Sequence, residues 1–395
     1  MESGKIASHL AMTNAATTRS PEWSVWRPSP LTIGIEEEFM LVDPSDWSLA
    51  FRSDEVLATL PAELRGRVSP ETHAAVMETQ TGVHVLVADA VAELAQLRDA
   101  LAEALSAHGL RPAVAGTHPA AVWSETTVSG QRRYREVADS LRVLARREPT
   151  LATHIHVGVP TAGAAVRLQN GMRKHLPLLL ALSANSPFWQ GRETGFCSTR
   201  VSLFDAFPRT GPPRLFGGYA DWVQAVERLI RSGAIADPSF LWWDIRLQPR
   251  YGTVEIRIMD AQTTVDDVAA LAALVQSLAA LELERDVARA EGPAAEVIEE
   301  NRFLAARDGM NARLIDPESG GRIPAALELE RTLRACVPHA EHLGCDAQLA
   351  AVSSLAVATG AARQIEDARE GDLRRVTEAL SRAYLAEHRV LVGAA

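Results

Sequence analysis

Residues 31–42, LTIGIEEEFMLV, alternate apolar and polar positions in the manner of a strand with one sealed face and one acidic face. Leu31, Ile33, Ile35, Phe39 and Leu41 fall on one side, and Gly34, Glu36, Glu38 and Met40 on the other. Glu36 and Glu38 would point the same way, about 6.6 to 7 Å apart, a spacing that suits two carboxylates gripping hard cations. Glu37 interrupts the apolar side, so it lies near a strand end, marks a bulge or meets a cationic partner. The same alternation returns in residues 151–159, LATHIHVGV, where His154 and His156 share a face. It returns again in residues 253–260, where Val254, Ile256 and Ile258 oppose Glu255 and Arg257. A turn at 249–252 pairs that segment with residues 240–248, which carry Asp244 and Arg246. Residues 74–87 and 111–115 also read as extended. Within the first of these, Glu78 is either an edge glutamate facing water or a buried acid that needs a partner.

Helical periodicity marks residues 54–65, 88–108, 131–147, 160–184 and 218–235. From residue 265 onward it dominates, at 265–290, 294–307, 324–336 and 372–388. Strands in the first two thirds and helices in the last predict an α+β fold with antiparallel pairing. Residues 185–213 form a long irregular stretch, in which Arg192, Arg200 and Arg209 are candidate anion clamps.

The 395 residues are 47% hydrophobic, enough for a sizeable core beneath a disordered leader at 1–30 and a single domain at 31–395. A net charge of −10 without a lysine or arginine stripe gives no footprint for nucleic acid. Cys197, Cys336 and Cys345 have no metal-type spacing, which fits a reducing, cytoplasmic setting. The apolar run at 176–182 is too short to span a membrane. Dinucleotide, Walker A and Gly-x-Ser-x-Gly fingerprints are missing.

Glu36, Glu38, Glu78, His156, Glu255 and Arg257 gather on the charged sides of these strands, an oxygen-rich set suited to Mg²⁺ or Mn²⁺. Gly34-Ile35-Glu36-Glu37-Glu38-Phe39, Thr153-His154-Ile155-His156-Val157-Gly158, Ala184-Asn185-Ser186-Pro187-Phe188-Trp189 and Thr253-Val254-Glu255-Ile256-Arg257 together resemble the glutamate–cysteine ligase type 2 family, carboxylate–amine ligases of the glutamine synthetase-like superfamily. The resemblance extends more weakly to Glu300-Asn301-Arg302 and Gly360-Ala361-Ala362-Arg363-Gln364, while Phe303 and Leu304 depart from the family pattern.

The resemblance implies an antiparallel sheet curved into an ATP-binding half-barrel, with helices packed outside and a helical C-terminal third. It implies Glu36, Glu38, Glu78, His156 and Glu255 as metal ligands. Arg257 and Glu255 would meet ATP, Arg257 and Glu38 would serve catalysis, and Arg200, with Asn185 and Arg192, would hold substrate. The implied reaction activates glutamate, or a similar acid, as an acyl phosphate that an amine such as cysteine captures. Small molecules are then the partners, and the family implies self-association. A phosphotransferase acting on guanidino compounds and a non-catalytic ATP-binding regulator are the alternatives.

Overall fold

The alternating segment at the head of the chain forms strand β1, Ile33–Val42, at the middle of an open antiparallel sheet. The computed structural model describes residues 25–28, 30–147, 149–285, 292–369 and 371–386. The other strands of the sheet are β2 (Val68–Pro70), β3 (Val76–Gln80), β4 (Arg111–Ala113) and β5 (Thr153–Gly158). Strands β6 (Phe188–Trp189) and β7 (Arg192–Glu193) form a separate ribbon, and β8 (Ile245–Gln248) and β9 (Thr253–Ile256) rejoin the sheet. The order is β2-β3-β1-β5-β9-β8, with β4 on the far half of β1. A last ribbon, β10 (Arg313–Ile315) with β11 (Arg322–Pro324), lies among the C-terminal helices.

The apolar sides of β1, β5, β8 and β9 converge in one core, where Ile33, Ile35, Ile155, Val157, Ile245, Leu247, Val254 and Ile256 are all buried. Packed against them is helix Val265–Glu284, whose buried residues run almost all the way round, as befits a helix with neighbours on every side. Thr264 starts it by accepting a hydrogen bond from the Asp267 N–H. Helices Ala325–Leu343 and Asp346–Val357 cover its outer surface. A second core under the far half of β1 holds Phe39, Leu41, Met77 and the stripe Leu97, Leu101 and Leu105 of helix Val87–Ser106. Met40, expected on the acid face, is fully buried there too, because β4 closes over that end.

Glu37 has found a cationic partner. It is fully buried, and Arg98, which interrupts the apolar stripe of helix Val87–Ser106, grips both of its carboxylate oxygens. Arg98 also donates to the Thr263 carbonyl at 2.8 Å and the Gln262 carbonyl at 2.9 Å, with its guanidinium 4.5 Å from the centre of the Tyr384 ring.

Most expected helices are present, several of them shorter. The segment 160–184 divides into helices Ala162–Met172 and Leu176–Ser183 around a 3₁₀ turn, and Arg132–Leu141 likewise ends in one. The ends expected at 290 and 388 lie outside the described residues, as do residues 1–24 of the leader. Of its remainder, Trp26 donates its indole N–H to the Val159 carbonyl at 3.0 Å. Arg27 passes so close to the β8–β9 turn that only glycine fits at Gly252, whose φ of 69° also favours it. Among the described residues no helix is long and apolar enough to cross a membrane.

Candidate active site

Antiparallel registry brings the charged residues of five strands into one band. Glu38 lies opposite Glu78, Glu36 opposite His154, Gly34 opposite His156, His156 opposite Glu255, and Glu255 opposite Arg246. The side-chain period of two is preserved across the sheet, so these groups all project to the side away from the apolar core. They wall a cavity of about 330 Å³ lined by Glu36, Glu38, Glu71, Glu78, His154 and Arg257, with Arg133, Tyr134, Arg246 and Trp242 also at its edge. A second cavity, of about 310 Å³, opens on the other side of Glu36 and is bounded by Arg27, Gly34, Thr81, Val83, His156 and Tyr251.

Three ligand sets chain along the band: Glu36 with His156 and Glu255, Glu36 with Glu78 and His154, and Glu38 with Glu71 and Glu78. Within each set the ligating atoms lie within 4.8 Å of one another. His156 has its Nδ1 tied to the Thr253 hydroxyl at 3.0 Å, leaving Nε2 3.3 Å from a Glu36 oxygen. His154 faces Glu36 through Nδ1 at 3.3 Å, and its buried Nε2 has no hydrogen-bond partner. Burial and then the charged Arg257 push the His154 imidazole down to about 4, so it is a neutral donor at physiological pH.

The acids divide by environment. Burial alone would raise the Glu36 carboxyl, but charged His156 and the bonds from both histidines outweigh it and hold Glu36 well below the ordinary range. Glu255 is also held low against its burial, by Arg246, Arg257 and the two histidines. Arg246 reaches it from Nε at 2.7 Å and Nη2 at 3.1 Å, Gln248 at 2.7 Å, and Arg257 through Nη1. On the other wing burial dominates: with Glu71 nearby it lifts Glu38 to about 8, and with Glu36, Glu71 and Glu38 it lifts Glu78 well above normal. Glu71 is raised by burial as well. Buried acids this close must hold protons or share a cation. Five carboxylates with two imidazole nitrogens, His154 neutral and His156 able to give up its proton to an incoming cation, make an oxygen-rich set that fits a hard divalent ion such as Mg²⁺ or Mn²⁺.

Of the residues singled out from sequence, Glu36, Glu38, Glu78 and Arg257 line the first cavity, while His156 and Glu255 complete the set they share with Glu36. Arg200, Asn185 and Arg192 line neither cavity. Arg200 is buried and donates to the Ile258 carbonyl at 3.0 Å and the Arg257 carbonyl at 3.2 Å, so it braces the backbone that carries Arg257. Asn185 is locked in the core, donating to the Ala261 carbonyl and the Thr263 hydroxyl and accepting from Gln364. That bond ties the motif at 184–189 to the one at 360–364, and Gly360 packs directly on Asn185. Arg192 is exposed on the β6–β7 ribbon. Arg302, from the segment at 300–302, pairs with Asp205 and with Asp244, whose carbonyl accepts the Arg257 N–H at 2.8 Å.

The sequence does not single out Glu71, and it offers His154 only as one half of a His-x-His pair whose ligand is taken to be His156. Glu71 follows β2, a strand of three residues too short to show alternation. His154 shares the face of His156, and that parity was the available signal.

The open antiparallel sheet with helices packed outside it places the chain in a fold class, the glutamine synthetase-like type. The structure of a glutamate–cysteine ligase from Francisella tularensis in complex with AMP superposes with a TM-score of 0.65 at 14% identity, covering 93% of this chain and 91% of that one. A bifunctional glutathione synthetase from Pasteurella multocida gives 0.63 at 12% identity over 90% of this chain and 52% of that one. Within the class, residues 32–379 match the family described as glutamate-cysteine ligase family 2, and the chain belongs to that family. A Rubrobacter xylanophilus protein provisionally named glutamate–cysteine ligase 2-3 is 40% identical over 90% of this chain and 97% of its own length. A Sorangium cellulosum protein provisionally named glutamate–cysteine ligase 2 is 38% identical over 85% of this chain and 90% of its own.

Proposed function

We propose that this chain is a cytoplasmic, ATP-dependent carboxylate–amine ligase that joins L-glutamate, or a closely similar acid, to an amine through an acyl phosphate, with L-cysteine a weak amine substrate. The observation that carries the reading is that two cavities meet at Glu36 and Tyr251, which line both. A reaction joining a nucleotide's terminal phosphate to a carboxylate needs two pockets that meet at groups able to hold a cation between the two anions. The cavity with Val83, Arg250 and Tyr251 has the apolar and aromatic surface for a base, and the cavity with Arg133, Tyr134 and Arg257 takes the acid and the amine.

Glu36, Glu38, Glu71, Glu78, His154, His156 and Glu255 would hold the divalent ions, which when bound neutralise phosphate charge so that an anionic carboxylate can approach. The residues of the chain then position and stabilise. An oxygen of the substrate carboxylate attacks the γ-phosphorus and the bond to ADP breaks. Arg257, fixed by Glu255 and by its backbone bond to Asp244, stabilises the charge growing on the transferring group. Arg246 and Gln248 keep Glu255 oriented, so Arg257 is preorganised before substrate arrives.

The test is ADP release from purified protein with Mg²⁺, ATP and L-glutamate, with and without an amine. Release that requires both acid and amine, with an amide product, is the expected result. A phosphorylated amine would replace this reading with that of a kinase, and nucleotide binding without turnover would replace it with that of a regulator.

A further inference from the structure

The first cavity has two unlike walls. One is the charged band; the other is made by Val137, Leu141, Ala145, Phe204, Phe207 and Trp242. These form a small hydrophobic cluster of their own, apart from the two cores of the domain, in which Val137, Leu141 and Ala145 are buried against Phe207, Phe240 and Trp242. The aromatic rings lean edge to face, Phe204 on Phe207 at 5.4 Å between centres and Phe207 on Trp242 at 6.2 Å. Arginines stiffen the ladder: Arg209 lies 5.2 Å from the Trp242 ring centre and Arg200 5.6 Å from that of Phe204. Phe204, Phe207 and Trp242 are each only partly buried, so the cluster keeps unburied aromatic surface where it borders the cavity.

The ligase reading assigns the charged band to phosphate and acid, which leaves this wall to the side chain of the amine. We infer that the preferred amine is a primary amine with an aromatic or branched apolar side chain, and that cysteine is too small to cover the wall. This rests on the ligase reading. In the second half-reaction the amine nitrogen bonds the acyl carbon as the bond from that carbon to the phosphate oxygen breaks. Phosphate leaves with the electron pair; of the two protons lost by the ammonium nitrogen, one goes with the phosphate and one to solvent. Selection by an apolar wall acts through the area it removes from water, and each additional buried methylene on the amine is worth roughly fourfold in kcat/KM.

The experiment compares kcat/KM for ADP formation across cysteine, alanine, leucine, phenylalanine and phenethylamine, with glutamate, aspartate and other dicarboxylic amino acids as the acid. The expected result is a value for the aromatic and branched amines at least about tenfold above that for cysteine, with the ratio collapsing towards one in Trp242→Ala. A ratio at or below one in the native protein overturns the inference, whether or not the Trp242→Ala protein folds, and leaves the ligase standing. ADP formation with no pair of acid and amine overturns the ligase reading itself.

Discussion

Replacing Arg98 with methionine tests how the acidic strand is held in register. The side chain makes two bonds to Glu37 and one each to the carbonyls of Thr263 and Gln262, all away from solvent. Methionine fills much of the space but leaves a buried carboxylate and two carbonyls without those donors. Removing one partner of a buried pair costs about 3 to 5 kcal/mol. Each orphaned carbonyl adds about 1 kcal/mol. A loss of about 5 to 7 kcal/mol approaches the entire stability of many domains, so the variant should unfold at much lower urea than the native protein. Tryptophan fluorescence across a urea titration reads this, since the chain has eight tryptophans. The Arg98→Met/Glu37→Met double variant removes the stranded charge and should regain most of the loss. A cost of about 1 kcal/mol or less for the single change, or a double variant weaker than the single, would refute the argument.

Three further outcomes follow from the site. Glu255→Gln or Glu36→Gln should lower turnover by roughly a hundredfold or more, read as ADP release at saturating Mg²⁺, and unchanged turnover would remove them from the ligand set. In metal-free protein the raised carboxyls of Glu38 and Glu78 bind protons that the unfolded chain has already lost above about pH 4.5, so their contribution falls as pH rises towards 8. The lowered His73, His118, His154 and His175 act in the opposite sense only below about pH 6.5, and the raised His156 acts in the same sense as the acids above that pH. From about pH 6.5 to 8 Tm should therefore fall, and MgCl₂ should raise Tm more at about pH 8 than at about pH 6.5. An equal gain at both would contradict this. Gly360→Ala would drive a Cβ to 2.1 Å from the Asn185 side-chain oxygen and should cost about 1 to 3 kcal/mol by thermal unfolding, an unchanged Tm being the contrary result.

Alternation in three short segments was enough to read the acidic band and the α+β class, because a period of two commits every second side chain to one face. It also left Glu37 with three outcomes. Choosing among them needed Arg98, which is 61 positions away and hidden in a helix stripe that looks wholly apolar in outline. The polar loop at 185–213 shows its local bonding only in three dimensions, for a related reason. Its arginine and asparagine look available for a ligand, yet Asn185 is bonded to core groups and Arg200 gives both terminal nitrogens to backbone carbonyls, only its buried Nε lacking a partner. Helix Asp346–Val357 gave no distinct signal, since alanine and serine blur the contrast between its faces, and Gly360–Arg369 is short, with Ile365 its one large apolar residue.

The bond from Gln364 to Asn185 carries a consequence for how this molecule can be cut. The strands that bear the acids end far upstream, and a shortened chain stopping near residue 345 would keep every acid, imidazole and arginine of the band. It would nonetheless strip the lid from Asn185, open the floor beneath Asp260 to water and loosen the segment from which Arg200 supports Arg257. The terminal helices therefore act as a keystone for chemistry they never touch.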